Sequence, residues 1–255
     1  MHTRRFMSGR RSRMSKTTEP KTTQKVSQSL PLKIEQLGVV TSTQDVMKAR
    51  LLAGERVHGL VLRAEAQTLG RGRRARDWQS GVGGSYQTLA VHMPGLRAQP
   101  RTPVSIAIGL AQTLPRYGVK AGIKWPNDLF YRQKKLAGVL LEVTQNHLLI
   151  GVGVNVNNEV PAGAVGLKGW DLAGVHAVVL EGVQVGLDLL STPALGAAYA
   201  PYDLLYEQEV KIMNKGKRMT GVAAGVSERG CLRLVGSEAE VCQGHLERFT
   251  LRTNL

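Results

Sequence analysis

With 255 residues and 42% hydrophobic content, the chain is long enough for one or two domains with a sizeable core. No run approaches the roughly eighteen consecutive apolar residues of a membrane helix, and the first residues lack the apolar block of a secretory signal, so a cytoplasmic protein without membrane contact is expected. The net charge of +15 is uneven, with nine Lys or Arg against Glu19 alone in residues 1–33, and Cys231 and Cys242, far from any histidine at metal-ligand spacing, read as reduced thiols that form neither a zinc module nor a disulfide framework.

In chain order, residues 1–31 form a basic tail rich in Ser and Thr, with few aliphatic residues before Val26, and are expected to be disordered. This tail is a solvated segment, sequence upstream of a start at Met7 or Met14, or a contact for nucleic acid. An extended stretch over 32–37 leads to the hydroxyl-rich corner Ser42-Thr43-Gln44. The helix that follows takes Ser42 or Thr43 as its N-cap and stops at Gly54. Gly59 to Leu62 has strand character, and Gln67 to Trp78, QTLGRGRRARDW, is placed on a loop leaving a sheet edge. Four arginines (Arg71, Arg73, Arg74, Arg76) sit there on a glycine-containing backbone, and their planar guanidinium forks match carboxylate or phosphate oxygens. Alone, the loop reads equally as a solvated basic segment or as an anion clamp.

Ser85 to Met93 alternates as a strand, and Thr102-Pro103 opens a helix with Val104, Ile106, Ala107, Leu110, Ala111 and Leu114 on its buried side. Lys124 stands directly before Trp125-Pro126, at a strand end closed by a proline-fixed corner, which makes its ammonium a positioned point charge. Asn127-Asp128 turns the chain. Residues 135–143 and 148–158 pair across a turn at Gln145 to His147. Glycines 138, 151 and 153 lie inside these strands, where they weaken a sheet unless a ligand or a packed element approaches the backbone. Residues 159–169 form a loop ending at Trp170, a candidate lid. Helical patterns follow over 173–190 and 194–206, and short strands separated by turns over 209–255 predict a small β-barrel.

Four of these blocks occur together: Gly70-Arg71-Gly72-Arg73-Arg74, Lys124-Trp125-Pro126-Asn127-Asp128, Lys135-Leu136-Ala137-Gly138 and Gly151-Val152-Gly153-Val154-Asn155. In order and spacing the chain resembles the biotin protein ligases, which attach biotin to the carrier protein of acetyl-CoA carboxylase. The resemblance covers Ser42 to about Leu251. It implies an α+β fold of the class II aminoacyl-tRNA synthetase and biotin/lipoyl ligase type. A mixed β-sheet with helices packed on it would occupy 32–207, and a small SH3-like β-barrel 208–255. The implied reaction activates biotin with MgATP to biotinyl-5'-AMP and then transfers biotin to a lysine of the biotin carboxyl carrier protein. Mg2+ is expected to be held mainly through the ATP phosphates, with no protein ligand assigned. By the same resemblance Ser42, Thr43, Gln44, Gln67, Arg71, Gly72, Arg73, Lys124 and Gly138 surround biotin. Arg74, Arg76, Trp78, Asn127, Lys135, Asn155 and Trp170 take the nucleotide. Lys124, Arg71 and Arg73 stabilise the charge of adenylation.

The chain departs from the family pattern in three places. Gln44 stands where asparagine is usual, Ala75 where glycine is usual, and Val119-Lys120-Ala121-Gly122 lacks the acid that some relatives carry upstream of the lysine. Repressor-type members need about sixty residues for a helix-turn-helix, whereas some thirty precede Leu32 and lack helical apolar periodicity, so specific DNA binding is not expected. A homodimer through the sheet edge is left open. The rival readings are a lipoate protein ligase of the same scaffold and, from the charge, a basic nucleic-acid-binding protein.

Overall fold

The computed structural model describes residues 30–95, 99–214 and 216–252, so the expectation for the basic tail lies outside the described residues. The chain opens with β1 (Lys33–Val40), helix α1 (Thr43–Leu52) and β2 (Leu60–Gln67). Helix α1 begins at Ser42, whose extended backbone and side-chain oxygen receive the Gln44 N–H, so this hydroxyl acts as a cap. Next come β3 (Ser85–His92), α2 (Arg101–Thr113), β4 (Gly122–Lys124), β5 (Asp128–Tyr131), β6 (Lys134–Thr144) and β7 (His147–Val154). The strands form one seven-stranded sheet in the order β1-β2-β3-β7-β6-β5-β4. β1 pairs parallel to β2 and the other neighbours pair antiparallel, so the sheet is mixed. Because β2 lies one strand in from the edge, the arginine loop leaves an interior strand, and the expected edge position is corrected.

Helix α2 starts at Arg101, one residue before the expected cap, and Thr102 makes no side-chain cap bond. Helix α3 (Leu172–Leu189) is long and apolar enough to cross a membrane by length and composition, with mean hydropathy 1.4, but it packs against α2 in the core. The helix expected over 194–206 is shorter: α4 (Leu195–Tyr199) tightens into a 3-10 turn at Ala200–Tyr202. Pro201 lacks the N–H that an α-helix would use there, and Asp203 then turns the chain by accepting the Leu205 N–H at 2.8 Å.

The C-terminal strands β8 (Glu209–Asn214), β9 (Lys217–Val226), β10 (Leu232–Leu234) and β11 (His245–Phe249) form a second antiparallel sheet in the order β10-β9-β8-β11, consistent with an SH3-like domain. Strand β11 was not among the expected segments. The reading of the cysteines as free thiols is also corrected, since Cys231 and Cys242 form a disulfide. Leu232 and Val241 exchange backbone hydrogen bonds of 3.0 and 2.8 Å, and that bridge sets the flanking cysteines opposite one another. No histidine spacing could reveal it.

Helices α2 and α3 approach closely because glycines face each other at the crossing. A Cβ on Gly186 would meet Ile106 Cα at 2.6 Å and the Ser105 carbonyl oxygen at 2.8 Å, both backbone atoms that cannot swing away. Gly186→Ala is therefore expected to lower stability by about 1–3 kcal/mol, as overpacking does. Urea denaturation should show a lower midpoint at unchanged slope.

Candidate functional site

The site is built on the face of the large sheet that carries α1, and its floor follows from strand alternation. In β7, Leu148, Ile150, Val152 and Val154 point into the main core under α2 and α3. On the opposite face Leu149 packs with Met47 of α1, and the next two positions are Gly151 and Gly153. Gly153 is in register with Gly138 of β6 and Tyr86 of β3, and Gly151 with Thr88. The strands stay continuous while the face loses its side chains, which opens a cleft bordered by α1, the arginine loop and the β4–β5 corner.

That space is shaped by two side chains. Trp78 lies over the paired glycines: a Cβ on Gly153 would come within 2.7 Å of its Nε1, and one on Gly138 within 3.2 Å of its ring. Gln44 lies over Gly151 in the same way, at 2.7 Å. The strand glycines thus admit packed side chains of the site itself, the second of the two sequence-level readings. Trp78 Nε1 is buried without a hydrogen-bond partner among the described residues, which leaves a donor at the cleft floor.

One end of the cleft is polar and neutral. Gln67 Oε1 accepts from the Thr43 N–H at 2.8 Å and from its hydroxyl at 3.2 Å, while Gln67 Nε2 donates to Ser80 Oγ at 2.8 Å. Thr43 and Thr88 hydroxyls are 2.9 Å apart, and Thr88 donates to Gln44 Oε1 at 3.2 Å. Ser42, Thr43, Gln44 and Thr88 are all buried. Side-chain donors and acceptors held by one another in this way are preorganised for a neutral polar group.

The arginine loop is a folded strap. Gln67 and Ser80 bridge its base, Trp78 donates to the Gly70 carbonyl at 2.8 Å, and Gly72 donates to the Arg76 carbonyl at 2.7 Å. Its tip, Arg73–Ala75, is a 3-10 turn in which Arg74 and Ala75 take φ of 59° and 55°. A side chain in that left-handed region costs about 1 kcal/mol or somewhat more, so glycine at 75 would make the same bend without strain. Arg71 pairs with Asp45 and with Glu142, the latter at 2.7 Å, and Asp45 first, then Glu142, hold its proton more firmly than usual. Arg73 donates to Asn127 Oδ1 at 2.9 Å, and burial lowers its guanidinium's hold on the proton.

The other end carries the lysines. Lys124, at the end of β4, is 3.0 Å from Asp128 Oδ2, and Lys135, at the start of β6, is 2.9 Å from Asp128 Oδ1. Burial pushes the Asp128 carboxyl up, but the Lys135 and Lys124 ammoniums outweigh it and hold it below the usual carboxylate range. The Lys124 ammonium also sits 4.6 Å from the Phe249 ring centroid and 5.2 Å from that of Phe130. Lys135 lies 5.1 Å from the Trp78 ring, so lysines and loop meet across one carboxylate. Asn127 is buried and donates to the Val139 carbonyl at 2.7 Å.

Of the residues named from sequence, Ser42, Thr43, Gln44, Gln67, Arg71, Gly72, Arg73, Arg74, Arg76, Trp78, Lys124, Asn127, Lys135 and Gly138 all line this cleft. Asn155 and Trp170 do not. Asn155 is buried in a network in which its Oδ1 accepts from Asn158 at 3.3 Å, and Trp170 packs against Tyr117, ring centroids 5.8 Å apart. Sequence reasoning passed over Asp128, read as a turn residue, and Thr88, read as a strand position. It also passed over His245 and Leu246, which β11 brings to the cleft from the second sheet, and Phe249, whose ring β11 sets against the Lys124 ammonium. A carboxylate four residues after a lysine at a proline corner was the available signal for Asp128. Nothing in the local sequence announced Phe249.

A family model described as the biotin/lipoate A/B protein ligase family matches residues 37–157. The chain is 31% identical over 232 residues to the biotin--[acetyl-CoA-carboxylase] ligase of Mycobacterium tuberculosis, covering 82% of this chain and 87% of the relative. It is 30% identical to the bifunctional ligase/repressor BirA of Escherichia coli, covering 78% of this chain and 68% of that one. The structure of the biotin protein ligase from Aquifex aeolicus in complex with biotin and ATP superposes with a TM-score of 0.74 at 29% identity, covering 86% of this chain and 98% of that one. By these similarities the chain belongs to the biotin protein ligase family.

Proposed function

We propose that the protein is a biotin protein ligase that activates biotin with MgATP to biotinyl-5'-AMP and passes the biotinyl group to a lysine of the biotin carboxyl carrier protein. The supporting observation is the polarity of a single cleft. Neutral, mutually bonded groups (Thr43, Gln44, Gln67, Thr88) fill one end, and Arg73, Lys124 and Lys135 converge on the other. Such a cleft suits a molecule with an uncharged hydrogen-bonding head and a carboxylate tail that must meet a phosphate.

In the first step a biotin carboxylate oxygen bonds to the α-phosphorus as the bond to pyrophosphate breaks. Two anions approach and negative charge grows on the phosphoryl oxygens, so fixed cations lower the barrier. Lys124 and Arg73 supply that charge, while Arg71, paired with Asp45 and Glu142, seats the strap that carries Arg73, and no protein nucleophile is needed. Mg2+, brought by ATP, adds charge neutralisation. Of the carboxylates that line the cleft, Asp128 is held in ion pairs with Lys124 and Lys135 and Asp77 lies on the strap; Mg2+ is expected to be held mainly through the ATP phosphates. In the second step the carrier's lysine amine attacks the acyl carbon and AMP leaves. Ser42, Gln67 and Gly138 belong to the biotin end and floor. Gly72, Arg74, Arg76, Trp78 and Asn127 belong to the strap and its seat, with Asn155 and Trp170 outside the cleft. The reading places the protein in the cytoplasm with the carrier protein as partner, and it assigns no operator-binding role.

The direct test incubates purified protein with MgATP, carrier protein and either biotin or lipoate, following pyrophosphate release and carrier modification. Biotin is expected to be the substrate, and preferential use of lipoate would sink the reading. In the same assay Lys124→Ala should slow pyrophosphate release by on the order of a hundredfold or more. Near-normal release would remove Lys124 from the mechanism.

Asp128→Asn tests the charge triad separately. Removing the carboxylate leaves two lysines facing each other, at a cost of about 1–3 kcal/mol, less than for a fully buried pair because Lys135 is one-third exposed. In the folded state the Asp128 carboxyl titrates below the usual carboxylate range, held there by Lys135 and Lys124 against the effect of burial. Its contribution is therefore complete above about pH 4 and is lost as pH falls through the lower folded value. The variant should be less stable at neutral pH and show a flatter acid limb in a pH series of denaturant melts.

A further inference from the structure

Besides His245 and Leu246, which line the cleft, the second sheet sets one phenylalanine ring against the Lys124 ammonium. Phe249 ends β11, where it pairs with buried Val210 of β8, and the chain just beyond it is tied by the Arg252 N–H to the Leu204 carbonyl at 2.9 Å and by Gln133 to the Arg252 carbonyl at 2.8 Å. The ring is thus held from both sides by backbone. Its centroid stands 4.6 Å from the Lys124 ammonium, which has Phe130 at 5.2 Å and Asp128 at 3.0 Å. With its side chain 14% exposed, Lys124 has largely exchanged water for one carboxylate and two aromatic faces. A cation over an aromatic face is attracted by the ring quadrupole, more strongly as water is removed. Unlike a second carboxylate, a ring face orients the ammonium without neutralising it, so its charge stays available to an incoming phosphate.

Resting on the ligase reading above, we propose that Phe249 is a positioning residue for adenylation: the second sheet supplies the aromatic face that holds the Lys124 ammonium toward the reacting phosphate. The small C-terminal sheet is then part of the catalytic geometry although it contributes no catalytic group. Phe130 supplies the other face from β5, two residues beyond Asp128 on the same strand, so the lysine's cage joins both sheets.

The test varies the electronics of the ring at nearly constant size. Full-length protein carrying mono-, di- and trifluorinated phenylalanine at position 249 is assayed for single-turnover biotinyl-adenylate formation, alongside Phe249→Leu and Phe249→Trp. The rate is expected to fall stepwise with fluorination, reaching roughly 3- to 30-fold for the trifluoro ring and for Phe249→Leu, and to be retained in Phe249→Trp. The concentration of biotin giving half-maximal rate should not change. A rate independent of fluorination would overturn the proposal, since packing alone is blind to the quadrupole. A second readout does not need turnover. The Lys124 CεH2 resonance should be shifted upfield by the rings and should move toward the ordinary lysine position in Phe249→Leu, and an unshifted resonance in the parent protein would also overturn the proposal. If the parent protein forms no biotinyl-adenylate while this shift is present, the substrate assignment fails and the positioning of Lys124 by Phe249 stands.

Discussion

The cleft depends on one largely desolvated carboxylate. Asp128 is in register with Lys124 across the β4–β5 corner and with Gly138 across β5–β6, so its two oxygens reach a lysine on either side. A carboxylate out of water is tolerated only when paired, and Asp128 is paired twice, which leaves the triad with one net positive charge. The neighbours in the motif fix the corner itself. Trp125, nearly fully buried, donates from Nε1 to the Gly230 carbonyl at 3.0 Å, and Asn127 exchanges bonds with Val139. The motif therefore fastens the corner to β6 and to the second sheet while presenting two ammoniums to the cleft.

The two sheets are coupled through this corner from both directions. Trp125 reaches into the second sheet's β9–β10 turn, and Phe249 reaches back to Lys124. Arg74 at the tip of the strap touches His245 at the start of β11. Strap, corner and second sheet consequently share contacts around one lysine. A change in the docking of the second sheet has to be felt at Lys124, because Phe249 touches it directly and Trp125, the next residue, is bonded to Gly230.

Much of the large sheet was legible because its strands alternate and its helices carry apolar stripes: β6 and α2 came within a residue or two of their expected bounds, β7 started within one residue but ended at Val154, short of the expected 158, and Ser42 capped as its type predicts. The arginine loop, Lys124 and the glycines were legible as a set because their chemistry is unusual for their setting. What escaped was long-range. The Cys231–Cys242 bond follows from a two-residue bridge between irregular segments, and β11, with Glu247 and Arg248 in a five-residue run, has too little apolar pattern to announce a strand. Asn155 and Trp170 enter the expected site by family likeness; in the structure Asn155 accepts from Asn158 and Trp170 packs on Tyr117, and neither lines the cleft.

The strap's four arginines are not equivalent, and their partners say which of them is open to an anion. Arg71 is engaged by Asp45 and Glu142, so its charge is already answered and its role is to seat the strap on α1 and β6. Arg74 is drawn outward to His245. Arg73 is half-buried among cleft residues, and its hydrogen bond goes to the neutral amide oxygen of Asn127. A desolvated guanidinium with a neutral partner has unspent attraction for a carboxylate or phosphate, whereas a doubly paired one must first surrender its acids. The same argument sorts the lysines: Lys135 and Lys124 share Asp128, and the face of Lys124 not taken by that carboxylate is held by rings. An anion entering the cleft thus meets Arg73 and Arg76 on the strap, neither of which pairs with a carboxylate among the described residues, and on the corner Lys124, whose one carboxylate is shared with Lys135.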